Sequence, residues 1–189
     1  MAQEQNKDFY QKALKEYGVS AQGVHWNSKH TQYKRFEIIT KLIKKKLSSS
    51  SIVDVGCGFG EYYKYLELNN KIPLNYLGVD CEKHMITTCK KRLPSQEFIK
   101  LNILEESLPL YDYYICSGAL NILTIDEVYI FIKKCFLSSN KGFVFNFLKS
   151  DSFNNLKVED VMEFCKTLTS DIKIEDNYLN NDFTIFMVK

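Results

Sequence analysis

Ser51-Ile52-Val53-Asp54-Val55-Gly56-Cys57-Gly58-Phe59-Gly60 joins a β-branched apolar run to three glycines at alternating positions. The apolar half predicts a buried strand, and the glycines predict an abrupt turn out of it. Glycine is needed where the backbone bends sharply or meets a ligand with no side chain between. A dinucleotide fingerprint reads GxGxxG, but counted from Gly56 its third glycine would fall on Glu61. A pyrophosphate also wants a helix N-terminus free of anions, and here Glu61 opens the next helix. The site suits a ligand without phosphate that carries a positive sulfonium and ammonium.

Strands and helices alternate outward from this turn. EYYKYLELN reads as a helix, LNYLGVD as a strand, CEKHMITTCKKRL as a helix and EFIKL as a strand. YDYYICS, IDEVYIFIKKCFL, KGFVFNFL and LKVEDVMEFCKTL continue as strand, helix, strand and helix. Such alternation implies an α/β, doubly wound, mostly parallel sheet with helices on both faces. The last two runs, DIKIEDNYL and DFTIFMVK, predict an antiparallel hairpin turning at Asn180 and Asn181, residues that tolerate positive φ. Before the core, Phe9, Leu14 and Tyr17, and then Phe36, Ile39, Leu42 and Ile43, recur at near-helical spacing. The expected organisation is one domain over 1–189, with a helical N-terminal cap over 1–47 and a cofactor-binding core over 48–189.

Asp80 ends the second strand, twenty residues after Gly60, at the spacing where an acid meets ribose hydroxyls in nucleotide-binding α/β folds. Asn102 follows the third strand, where its amide oxygen can read an adenine amino group while Ile103 packs on the ring.

Together these residues resemble the class I S-adenosylmethionine-dependent methyltransferases, over roughly Ile52 to Lys189. VDVGCGFG looks like that family's cofactor loop (Asp54, Gly56, Cys57, Gly58, Gly60), and GVDCEKHM looks like its second motif (Asp80, Cys81, Met85). The resemblance implies a seven-stranded Rossmann-like sheet closed by an antiparallel hairpin. It implies that Asp80 binds ribose and that Met85 lines the adenine pocket. Asn102 with Ile103 stands where the family often has an acid plus an apolar residue. Ser117, Gly118 and Ala119 fall beside the cofactor's methionine portion, and Asn121 faces the substrate cleft. S-adenosyl-L-methionine is the implied cofactor and S-adenosyl-L-homocysteine its product.

Methyl transfer from a sulfonium is an in-line displacement, so positioning can supply much of the catalysis and no base is obligatory. His25 and His30 are the nearest candidates if a base is used. The segment Gly23–Phe36 can fold over the site, with Trp26 stacking and Arg35 binding an anion of the substrate.

At 189 residues, 45% of them hydrophobic, the chain can bury one substantial core. The 25 basic and 23 acidic residues nearly cancel, which gives no footprint for nucleic acid and favours a small acceptor. Tyrosines at 62, 63, 65, 111, 113 and 114 are expected in the core rather than as a stacking platform. Six dispersed cysteines without a CxxC pair point to reduced thiols and no metal site. The polar N-terminus and the lack of a ~20-residue apolar run argue for a cytoplasmic protein without a membrane span. A homodimer is compatible with the sequence. The rival functions are a non-catalytic cofactor-binding partner subunit and a dinucleotide-dependent oxidoreductase. An aminopropyl transferase is disfavoured, because SGALNI carries no carboxylate.

Overall fold

The computed structural model describes residues 28–150 and 152–189. A helix α1 (Lys29–Ile43) and a 3₁₀ turn (Lys44–Ser49) lead into β1 (Ser51–Val55). Then follow α2 (Glu61–Leu68), β2 (Asn75–Asp80), α3 (Lys83–Arg92), β3 (Glu97–Lys100), β4 (Tyr111–Ser117), α4 (Ile125–Ser138), β5 (Ser139–Leu148), α5 (Val158–Leu168), β6 (Ile172–Asp176) and β7 (Asp182–Val188). The seven strands form one sheet in the order β3-β2-β1-β4-β5-β7-β6. The pairs from β3 through to β5 are parallel, and β7 inserts antiparallel between β5 and β6. The sheet is thus the Rossmann-like, mostly parallel one expected.

Side chains alternate across a strand, so each central strand feeds two cores. Val53, Val55, Tyr114, Cys116, Phe143 and Phe145 pack under α4 and α5 with Phe131, Ile132 and Val161. Their neighbours Ile52, Tyr113, Ile115 and Val144 face the opposite way, toward Phe36 and Ile39 of α1, Tyr62 and Leu66 of α2 and Ile86 of α3. Five of the six tyrosines named above are buried, as their positions in strands and helices imply, and Tyr111 is half-buried. The start of α4 is fixed by a capping box: Glu127 N–H donates to Thr124 Oγ1, and Thr124 N–H donates to Glu127 Oε2.

Two boundaries depart from expectation. β5 begins at Ser139, two residues before the Lys141 start of the expected run, because α4 passes into it with no intervening loop. The terminal hairpin is wider than a two-residue turn: β6 stops at Asp176, and the positive φ lies at Asn177 (62°) rather than at Asn180 or Asn181. Asp176 Oδ1 accepts from the Asn177 N–H and from Lys149. Asn181 is committed elsewhere, its amide oxygen accepting from Ser150 N–H and its amide nitrogen donating to Ser150 O. Of the described helices, none is long and apolar enough to cross a membrane.

Candidate cofactor and active site

β1 ends at Val55, and the backbone N–H groups of Gly56 and Cys57 both donate to Val79 O, at 2.8 and 3.0 Å. That double bond hooks the loop over the end of β2. The turn requires left-handed backbone at alternate residues, with φ of 72° at Gly56, 53° at Gly58 and 77° at Gly60. Space as well as conformation demands glycine at the first of these. A Cβ on Gly56 would stand 2.7 Å from Ala119 Cβ, just beyond the end of β4.

Asp80 is drawn into this loop. Its Oδ2 accepts from Gly58 N–H at 3.0 Å and its Oδ1 from Glu82 N–H at 2.9 Å. Burial raises the Asp80 carboxyl to about 6, against the lowering pull of those two bonds. Asp54 sits beneath, its Oδ2 accepting from Tyr76 O–H at 2.6 Å. Burial raises Asp54 to about 7; the Tyr76 bond opposes that rise and the Asp80 charge adds to it.

A cavity of about 330 Å³ opens at the carboxyl ends of β1 to β4, in the crevice where open α/β sheets bind ligands. It is lined by Asp54, Gly56, Cys57, Gly58, Asp80, Cys81, Met85, Asn102, Ile103, Ser117, Gly118 and Ala119, which brings the sequence-expected cofactor residues together. Gly60, the N-cap of α2, does not itself line the cavity, although Phe59 and Glu61 on either side of it do. Cys57 and Met85 are buried while Cys81 is exposed. Asn102 shapes the wall as well as facing it, since its Oδ1 accepts from Leu104 N–H at 3.0 Å. Its own N–H donates to Glu106 Oε1 at 2.8 Å.

Among the described residues the lining carries seven carboxyl groups (Asp54, Glu61, Asp80, Glu82, Glu105, Glu106 and Glu127) against one lysine, Lys100. Such a field attracts a cation and repels a pyrophosphate. Among the charges, Glu61 is paired to Arg92 at 2.5 Å and so ties α2 to α3. A sulfonium nucleoside fits these walls. The glycine turn admits backbone contact, the acid lining matches positive charge, and the Ser117 Oγ is buried without a hydrogen-bond partner beside the cavity.

Three expected substrate or catalytic residues are placed elsewhere. Arg35 does not line the cavity: it is buried on α1, where its Nε and Nη2 donate to the two carboxylate oxygens of Asp182 on β7. A substrate anion would have to displace that carboxylate. Asn121 is also absent from the lining; its Oδ1 accepts from Leu148 N–H at 3.0 Å, holding the end of β5. His30 is exposed on α1 and borders an outer groove with Tyr33, Lys34 and Tyr65, away from the cofactor cavity. His25 and Trp26 lie outside the described residues.

The structure adds residues the sequence did not single out. Gln32 and Phe36 of α1 and Tyr62 of α2 wall one side of the cavity, and Ile122, Leu123, Glu127 and Phe131 wall another. The Phe36 and Tyr62 rings meet at 5.2 Å, and Tyr62 O–H shares a hydrogen bond with Thr40 Oγ1. Gln32 carried no signal that set it apart, since Arg35 and Thr40 are also polar residues on the buried face of α1.

Residues 52–142 match the family described as methyltransferase domain. Among solved structures, the chain is similar to magnesium protoporphyrin IX methyltransferase from Synechocystis PCC 6803 with bound SAH. That match has a TM-score of 0.67 at 13% identity and covers 85% of this chain and 83% of the other. The plantazolicin methyltransferase BpumL, in complex with a monoazolic desmethylPZN analog and SAH, matches with a TM-score of 0.63 at 12% identity, over 84% and 82%. PH0226 protein from Pyrococcus horikoshii OT3 matches with a TM-score of 0.65 at 18% identity, over 86% and 93%. No curated protein matches the sequence.

Proposed function

Because the core of this chain is a class I S-adenosylmethionine-dependent methyltransferase domain, we propose that the protein transfers a methyl group to a small-molecule acceptor in the cytoplasm. The observation that carries the cofactor half is the junction of glycine loop and acid: Gly58 N–H on Asp80, at the lip of an acid-lined cavity. When bound there, the cofactor supplies an electrophilic methyl on a sulfonium. Asp80 can still accept from ribose hydroxyls, since each carboxylate oxygen has a second lone pair. Met85 and Ile103 offer apolar faces to a purine, and the turn at Gly56 and Gly58 leaves backbone open to the methionine end.

What this chain adds to the chemistry is alignment and exclusion of water. Holding a nucleophile in line behind the methyl carbon supplies a large part of the barrier reduction by itself. If the acceptor must lose a proton, the carboxylates of the lining are the groups placed to take it. Phe36, Tyr62 and Phe131 give apolar walls that keep solvent from the site. A small acceptor is supported by the modest cavity and by the near-neutral charge of the chain.

Incubation with S-adenosylmethionine labelled in the methyl group tests the proposal, with cell extract divided into small-molecule, protein and nucleic-acid fractions. Label should enter the small-molecule fraction. Label confined to protein or nucleic acid would refute the choice of acceptor class.

A further inference from the structure

The side chain of Gln32 is the feature of the cavity that the reading above leaves without a role. The residue is 4% exposed overall and lines the cavity, where its amide is open to the cavity space rather than sealed in the core. An amide held on a cavity wall offers its donors and its acceptor to whatever fills that cavity. In the same cavity Ser117 Oγ is buried without a hydrogen-bond partner.

The neighbours of Gln32 are already committed. Tyr62 O–H is shared with Thr40 Oγ1, Glu61 is paired to Arg92, and Asp54 accepts from Tyr76. The far side of the cavity, with Met85 and the Asn102–Ile103 turn, suits the base, and Asp80 suits the ribose. The α1 side, where Gln32 and Phe36 stand one helical turn apart, is left for the rest of the cofactor. Helix α1 is also held in place: Arg35, three residues along, is clamped to Asp182 on β7. Gln32 is therefore presented to the cavity from a fixed wall.

We propose that the Gln32 amide binds the α-amino and α-carboxylate end of S-adenosylmethionine, a role that rests on the methyltransferase reading of the same site. The chemistry is matched. A glutamine amide offers two N–H donors and one carbonyl acceptor; the amino-acid end offers a carboxylate to accept and an ammonium to donate. Bonds to charged partners are the stronger kind, which makes this contact a determinant of affinity and not only of fit.

The test compares two ligands on the full chain. S-adenosylhomocysteine has the amino-acid end; 5′-methylthioadenosine keeps the nucleoside and thioether but lacks it. Gln32→Met preserves length and removes the polar group. The variant should bind S-adenosylhomocysteine about tenfold more weakly and 5′-methylthioadenosine as tightly as the wild type does. Its ligand-free melting temperature should stay level, because the amide faces the cavity and its loss leaves the packing of α1 intact. Unchanged affinity for S-adenosylhomocysteine would overturn the assignment, as would an equal loss for both ligands with a lowered melting temperature. A folded wild type that binds neither ligand would overturn the cofactor reading itself, and the assignment with it.

Discussion

Replacing Arg35 by methionine separates a structural role from a substrate-binding one. Its guanidinium and the Asp182 carboxylate have side chains 6% and 3% exposed, and the contact is bidentate. Asn146 Nδ2 on β5 also donates to Asp182, at 3.0 Å. Arg35→Met would leave Asp182 as a buried carboxylate supported by one neutral donor. Removing one partner of a buried ion pair costs about 3–5 kcal/mol, a large share of the roughly 5–15 kcal/mol that holds an ordinary domain folded. In urea, with a slope of about 1–3 kcal/mol/M, the unfolding midpoint should fall by roughly 1–5 M. The double variant Arg35→Met/Asp182→Asn should recover most of that loss, because the stranded charge is gone. It should also bind 5′-methylthioadenosine with near wild-type affinity, since neither residue lines the cavity and that ligand lacks the end assigned to Gln32. Equilibrium urea unfolding followed by tryptophan fluorescence or circular dichroism gives the three midpoints. A single variant as stable as the wild type, or a double variant no better than the single, would refute the structural account and return Arg35 to the substrate.

Two further outcomes follow from the loop and its acids. Gly56→Ala should cost roughly 2–5 kcal/mol in chemical unfolding, from about 1–2 for a left-handed φ and about 1–3 for a Cβ forced against Ala119; a loss below about 1 kcal/mol would mean the loop relaxes freely. Asp80, raised to about 6, and Asp54, raised to about 7, both have folded values above the ordinary 3.8, so their support for the fold is complete below that value and is lost as pH rises through 6 to 7. A cationic ligand prefers the ionised acids, so its affinity should run the other way, strengthening across that window with proton release on binding; calorimetry at pH 6.5 in buffers of different ionisation enthalpy would detect the protons, and a buffer-independent heat would contradict the assignment.

The parts of the site that could be read in the sequence are those fixed by local backbone physics. Gly56, Gly58 and Gly60 are at once a sequence pattern and three left-handed residues, and Asp80 is placed by its position at the end of a strand. The type of sheet was equally legible, because alternating elements and a terminal hairpin allow few topologies. Long-range partners were not legible. Arg35 on a helix looks like a free cation until the fold brings Asp182 to it across 147 positions of chain. Asn121 looks like a cleft residue until Leu148 N–H claims its amide oxygen. The terminal turn was misplaced for the same reason: Asn181 is spent on Ser150, and the left-handed residue moves to Asn177.

The most direct test of the central claim is calorimetric titration of the purified protein with S-adenosylmethionine and S-adenosylhomocysteine, repeated on Asp80→Ala. The cofactor site built from the glycine loop and Asp80 predicts saturable one-to-one binding of both ligands, lost or greatly weakened in the folded variant. Absence of binding to the folded wild type, or binding that survives Asp80→Ala unchanged, would contradict it.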